Sequence, residues 1–421
     1  MLKILIKPFM KFAKFKNFVQ FSYIALNRLI RVNEIRKKSS TAFQNNIEHF
    51  NFNDHDTFFG YYDKSPLNKS NTKIIFHASP IRTYFKPNPN KKIKIIVQTL
   101  EDNYQRVIAE TSAYNWQQGS RLQWVSDNEI LFNDYCYDTN KYISYCYNVN
   151  SGERIKTFDY PVQDSYFKSM FYSINYNRLQ SSRPDYGYFN IPIHTQKELL
   201  SLEADGIWEI DFNSEKGKLI ISLEEVVGIE SYSRYSAGLH WINHLMISPN
   251  GKRMIFLHRT RNQGVKRDRL FSYDIETHTL SLIINYSIIS HFNWINNDSI
   301  ICFSGENKAD LAYKKINLLT KEITNQDFFK EFNSLDGHPT IQKDTFVTDT
   351  YPDFLGFQKL IIVKENVLKI LHETNHPIFY FKETRCDLHP RLQKDQIFFD
   401  QIVKRRRKLS MIRTRDTSQN N

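Results

Sequence analysis

Several residue types are scarce in this sequence, and each shortage closes off a class of protein. Its 421 residues include four cysteines (Cys136, Cys146, Cys302, Cys386) and no CxxC pair. That is too few for a disulfide framework, and a reducing compartment is the simpler setting. Glycine and proline number 13 each, against 32 Phe and 24 Tyr. Few breakers and many aromatics favour a folded, strand-rich chain over disorder. An uninterrupted apolar run is missing as well. In the amino-terminal "MLKILIKPFMKFAKFKNFVQFSYIALNRLIRV", lysines break every candidate apolar core, which argues against a signal peptide and against a membrane span.

A basic body is also lacking, despite a net charge of +12. Residues 1–40 carry ten Lys/Arg and one Glu, and residues 404–421 carry seven Lys/Arg and one Asp, so the body between them is left at −3. Nucleic-acid readers spread their cations over the folded surface, so no nucleic-acid partner is expected. Within a domain at 1–45, Phe12, Phe15, Val19, Tyr23, Leu26 and Ile30 recur at three- and four-residue steps with lysines between. The pattern predicts a basic amphipathic helix on an anionic membrane surface. Packing of that helix on the protein's own body is the alternative. The protein would then be cytoplasmic and peripheral at the inner membrane face. The basic segment 404–421 reads as a disordered tail, either a second lipid contact or simply solvated.

What the body does contain is a repeat. "GHPTIQKDTFVTD" from Gly337 and "LHPRLQKDQIFFD" from Leu388 share His-Pro-x-x-Gln-Lys-Asp and a closing acid, Asp349 or Asp400. "HLMISPNGKRMIFLHRT" from His244 and "HFNWINNDSIICFSGE" from His291 precede them, so the histidines recur at steps of 47, 47 and 51 residues. Each unit is a strand, a polar turn and a second strand, which is a β-hairpin. Two further strand-like runs separate the units, as in "RLFSYDIETHTLSLIINY". Four strands at a period in the forties predict a propeller blade. Looser units from His55, Trp116 and Ser169 bring the expected count to seven, with a long insertion before residue 240. The expected fold is therefore all-β, a seven-bladed β-propeller over residues 46–403 with an amino-terminal helical extension. A large β-sandwich would not return histidine to the same place in each hairpin.

In a propeller the first strand of each blade lines the channel, so His55, His244, His291, His338 and His389 are expected to face one space. Imidazole is the commonest metal ligand and the natural acid–base near neutral pH. "HWINH" sets His240 and His244 four apart, but it lacks the glutamate and the helix of a zinc protease, and that reading is rejected.

At these residues the chain resembles the oligogalacturonate lyases. The hairpins from His244, His291, His338 and His389, with "RDRLFSYDIE" and "HDTFFGYYDKSPLNKSNTKIIF", follow that family's blades in order over roughly residues 50–400. The resemblance implies a seven-bladed enzyme that splits acidic, uronic-acid-containing glycans by β-elimination with a divalent metal, usually manganese, held by three histidines and a glutamine. Carried across, His338 and His389 match two of those histidines, Asp387 replaces the third, and Thr384 stands near the glutamine. Asp387 suits a hard cation such as calcium as well, whereas Thr384 is a poor ligand. Arg269 matches the family's proton-abstracting arginine and His291 its companion, while His244 and His258 also fall on family histidines. His55 and His258 are taken as substrate-binding. Arginine is ordinarily too basic to act as a base. We therefore expect Arg269 to clamp the substrate carboxylate and His291 or His244 to move protons. Pairing of Arg269 with Asp268 or Asp274 at a blade edge is the alternative. The other functional reading is a non-catalytic carbohydrate-handling or scaffold propeller in a bacterial capsule or lipopolysaccharide pathway.

Overall fold

The computed structural model describes Ser22, Ala25, Leu26, Arg28, Ile30, Arg31 and residues 46–230, 238–326 and 335–414. Strand follows polar turn follows strand until seven four-stranded antiparallel sheets are complete. In six of them the strands sit in chain order, as Leu239–Ile247, Arg253–Asn262, Val265–Asp274 and Thr279–Ile284 do in blade four. The first strands of neighbouring blades touch, as Ile288–Trp294 does with Thr340–Gln342 and that strand with Arg391–Gln393. The result is a seven-bladed β-propeller.

The aromatic wealth of the sequence fills the wedges between blades. Phe158 meets Phe171 at 5.0 Å between blades two and three, and Tyr313 meets Phe346 at 5.2 Å between blades five and six. Rings are well suited to such joints, since two side chains bury a large apolar area across the wedge. The repeated acids at hairpin ends join other neighbouring blades by polar contacts. Asp349 of blade six accepts from the amide of His389 in blade seven at 3.1 Å, and Asp400 of blade seven accepts from the amides of Phe59 and Gly60 in blade one at 3.0 and 3.1 Å.

Blade seven closes the ring with chain from both ends. Arg391–Gln393, Gln396–Val403 and Arg406–Arg413 are completed by Glu48–Phe50, which pairs with the last of them. The expected disordered tail is corrected here: Arg406–Arg413 is a central strand, and the propeller runs to Arg413. Charge count hid a buried face, because Leu409, Met411 and Ile412 are core. Even Arg407 is buried, donating to the carbonyls of Trp116, Thr384 and Arg385 at 2.6–3.0 Å.

Blade three departs from the hairpin expected at Ser169. Its first strand is Asp164–Tyr166 and its second Met170–Ile174, after which Asn175 caps a helix, α1 (Tyr176–Ser182), by accepting from the amides of Asn177 and Arg178. With α2 (Gln196–Leu200), α1 occupies an insertion that ends where the third strand, Gly206–Asp211, begins. A third helix, α3 (Leu223–Gly228), follows the blade.

In the amino-terminal segment Ser22, Ala25, Leu26, Arg28 and Ile30 are helical. Phe12, Phe15, Val19 and Tyr23 lie outside the described residues. Arg28 Nη1 donates to the carbonyl of His376 at 2.8 Å and Arg31 stands over the Phe354 ring at 5.4 Å, so this part of the segment touches blade six. Leu26 and Ile30, by contrast, are 58% and 73% exposed. No helix among the described residues is long and apolar enough to cross a membrane.

Candidate functional site

Four of the five aligned histidines converge at the axis, one from each of the last four blades. The ring centroids of His291 and His338 lie 4.2 Å apart, as do those of His338 and His389, and His244 stands 5.4 Å from His291. His244 and His389 adopt left-handed φ values of +52° and +46°. Such backbone is uncommon outside glycine and is concentrated at functional sites.

Each imidazole is oriented through one nitrogen. His338 Nδ1 donates to the Asp349 carboxylate at 2.9–3.0 Å, and His389 Nδ1 to the Gly60 carbonyl at 2.9 Å. These bonds fix the tautomers and turn both Nε2 lone pairs inward, where they are buried and find no hydrogen-bond partner. Orphaned buried acceptors are rare because desolvation is not repaid. Here they lie beside a carboxylate: ligand atoms of His338, Asp387 and His389 fall within 4.8 Å of one another. Two imidazoles held by outer partners and one carboxylate make a donor set that fits a divalent cation. One competitor is present, since Arg385 grips Asp387 through Nε and Nη2, both at 2.6 Å.

Burial opposes charge on every group here, and the neighbours decide the outcome. His244 and His389 are driven well below the ordinary histidine value by burial, with nearby imidazoles and arginines adding to the effect. His291 is also lowered by burial, against the pull of Asp336, whose carboxylate it meets at 3.1 Å. For His338 burial is outweighed by Asp349, and its pKa rises. Burial would raise Asp387, but Arg385 holds it below the usual carboxylate range.

The remaining expected residues are elsewhere. His55 stays outside the cluster, at the start of Asp56–Phe58 and edge-on to Phe52 at 5.4 Å. Blade one instead brings Tyr61 and Tyr62 to the axis, with Tyr61 Oη 2.5 Å from His244 Nδ1. The sequence held this signal: "YYDKSP" aligns with "HLMISP", putting Tyr61 at the place of His244. Blade two contributes Arg121. Its Trp124–Ile130 pair repeats the Trp294–Ile300 pair of blade five, so Arg121 holds the place of His291, bonded to Asp63 at 2.6 and 3.0 Å.

Arg269 is likewise placed in a chain of its own. It donates to His258 Nδ1 at 3.2 Å and to the carbonyls of Val226 and Ile229 at the end of α3, while His258 Nε2 meets His240 Nδ1 at 3.1 Å. Neither Asp268 nor Asp274 takes it, because Asp268 binds Arg259 at 2.8 Å and Asp274 accepts from Arg253 at 3.2 Å. The Thr384 hydroxyl serves its own turn, donating to Phe381 O at 3.0 Å and accepting from Phe381 N at 2.9 Å.

Positive charge near the histidines comes from arginines that sequence reasoning passed over. Arg259 and Arg183 both act on His244, and Arg385 lies over the Tyr351 ring at 4.9 Å, with Tyr351 5.7 Å from His338. The α1 insertion supplies Arg183 and also Tyr186, 5.5 Å from His244. Beside them burial brings Lys266 down to about 8, aided by Arg259. Histidines with free lone pairs, buried phenols and several arginines suit the handling of an anionic substrate by proton transfer and charge stabilisation.

No family model and no curated protein sequence matches the chain. Among solved structures, an oligogalacturonate lyase in complex with manganese superposes with a TM-score of 0.59, covering 88% of this chain and 95% of that one at 11% identity. The chain has the oligogalacturonate-lyase fold. The oligogalacturonate lyase from Vibrio parahaemolyticus gives 0.58 over 88% and 96% at 10% identity. The β-propeller domain of the trilobed protease from Pyrococcus furiosus gives 0.50 over 84% and 96% at 11% identity. Since lyase and peptidase propellers both share this architecture, function has to be argued from the site.

Proposed function

We propose that the protein is a metal-assisted lyase that cleaves a uronic-acid-containing oligosaccharide or polysaccharide by β-elimination. The observation that carries this reading is the pair of buried, unpartnered Nε2 atoms on His338 and His389 beside Asp387. These three residues would hold a divalent cation, manganese or the similarly hard calcium, whose charge would stabilise the enediolate that develops on the substrate carboxylate. His291, oriented by Asp336, is our choice for the group that removes the proton α to that carboxylate. The electron pair released forms the new carbon–carbon double bond, and the bond to the 4-linked oxygen breaks. Tyr61, kept protonated by burial and backed by His244, would return a proton to that oxygen. Arg183, Arg259 and Arg385 take over the carboxylate-clamping role first expected of Arg269.

The test pairs two measurements on the full chain. Acidic oligosaccharides should yield the ultraviolet absorbance of an unsaturated uronide, and His338→Ala should abolish both that product and the bound metal. Absence of product from every acidic glycan, with metal content unmoved by the substitution, would sink the lyase reading.

A second reading, glycan binding without cleavage in a surface-polysaccharide pathway, is favoured by Asp387 being engaged by Arg385. We further propose that the amino-terminal segment contacts an anionic membrane at the inner face, supported by the exposed Leu26 and Ile30 one helical turn apart. Co-sedimentation of the full chain with anionic vesicles should fall on joint substitution of Leu26→Asp and Ile30→Asp. Unchanged sedimentation would remove the membrane from the account.

A further inference from the structure

A cavity beside blade six, bordered by Arg385, carries a charge pattern that the central site does not explain. Its volume is about 480 Å³, and Arg385 is part of its wall. The same guanidinium that reaches Asp387 therefore also borders this space. Three cations line it, Arg28, Lys382 and Arg385, against one carboxylate, Asp353. Tyr380 and Phe381 add aromatic faces. The size falls within the roughly 300–1,000 Å³ of small-molecule sites. Cations for a carboxylate and rings for the apolar face of a pyranose are the two features that an acidic sugar needs.

The wall contributed by the amino-terminal segment is built rather than incidental. Arg28 Nη1 bonds to the His376 carbonyl at 2.8 Å, while its buried Nε finds no partner. Gly356 makes room for it: at φ +94°, a Cβ there would sit 2.4 Å from Arg28 Nη2. A side chain at this position would have to adopt left-handed backbone and displace the guanidinium at once.

We infer that this cavity is an anionic-sugar subsite that binds a uronate ring beyond the pair at the reaction centre, with Arg28 as part of its wall. The inference rests on the acidic-glycan reading above and extends it to substrate length. It gives Arg28 a role in substrate choice.

Calorimetric titration of the full-length protein with digalacturonate, trigalacturonate and the trimer's methyl ester tests it, using Lys382→Gln and Arg28→Ala. Lys382 is exposed, so its substitution spares the fold. The expected result is about a tenfold loss of trimer affinity in each variant, less than a twofold change for the dimer, a weakly bound ester, and unchanged metal content. If both variants bind trimer as the parent does, the subsite is wrong and the acidic-glycan reading stands. If the parent binds neither uronide, both readings fall together. Loss of anionic-vesicle capture with trimer binding intact would assign the cavity to a lipid headgroup and overturn the proposal.

Discussion

Two groups of buried histidines lie in this propeller, and they are put to opposite uses. At the axis, His338 and His389 each bind an oxygen through Nδ1 and leave Nε2 turned toward a shared point with Asp387. In blade four, His240 and His258 spend their facing nitrogens on each other, and His258 passes the chain on to Arg269, which closes off α3; only His240 Nε2 is left over. Residue type and burial are the same in both. What differs is whether the lone pairs converge or are consumed. A buried histidine therefore says little about function until the partner of each nitrogen is known.

The comparison can be broken by removing one member from each group. Arg269→Met should have the largest effect on the fold. It strips the donor from two carbonyls and an imidazole nitrogen, at about 1–3 kcal/mol for each buried unsatisfied group, so a denaturant melt should show a loss of at least about 3 kcal/mol. Metal content of the surviving folded fraction should not change. Equal loss of metal would join the two groups into one site.

Acid should also act on the blade-four chain. Burial lowers His240 to about 4. The unfolded chain protonates through pH 6.5 whereas the folded one does not until about 4, so stability is lost as pH falls between these values. For His240 alone the loss is on the order of 3 kcal/mol. His240→Gln should flatten that slope in denaturant midpoints compared at pH 7 and 4.5. An unaltered slope would mean that His240 is not held neutral.

At the axis, Asp349→Asn should weaken metal binding by about 10–100-fold, or about 1.4–2.7 kcal/mol, because it loosens the group that orients His338. Equilibrium dialysis with manganese reads this directly, and unchanged affinity would deny Asp349 its orienting role. The smallest effect belongs to His55→Ala, within about 0.5 kcal/mol in stability and without effect on metal or glycan binding. A clear loss of binding would return His55 to the site.

The fold was legible because repeat spacing survives divergence. Blades four to seven keep both the histidine and the hairpin, and the rest of the ring follows from geometry once four blades are seen. The clustering was legible in part: His244, His291, His338 and His389 converge, with Asp387 beside the last two, while His55 does not join them. Arg269 misled because a position in a repeat says where a residue lies along a strand, but not whether a neighbouring helix will claim it. Arg259 escaped notice for the same reason. Its partner Asp268 lies directly opposite it in the blade-four hairpin, and only the further bond that Asp268 accepts from the amide of Ile289 crosses to blade five. The strand Arg406–Arg413 was missed because the seven positive charges of segment 404–421 outweighed a short apolar alternation. Tyr61 and Arg121 stood at histidine positions under a different residue name.

Closure of blade seven by Glu48–Phe50 has a consequence for the order of events during synthesis. The strand that completes the ring is made before blades one to six, and its partner, Arg406–Arg413, after them. Blades one to six can form while the chain emerges, but the circle stays open until the final strand arrives. Before then the histidines of blades six and seven have no fixed position opposite Tyr61 and Gly60. The centre is thus completed only when these two strands, far apart in sequence, are joined. Contacts of such long sequence separation form slowly, so recovery of bound metal on refolding should lag behind recovery of β-structure.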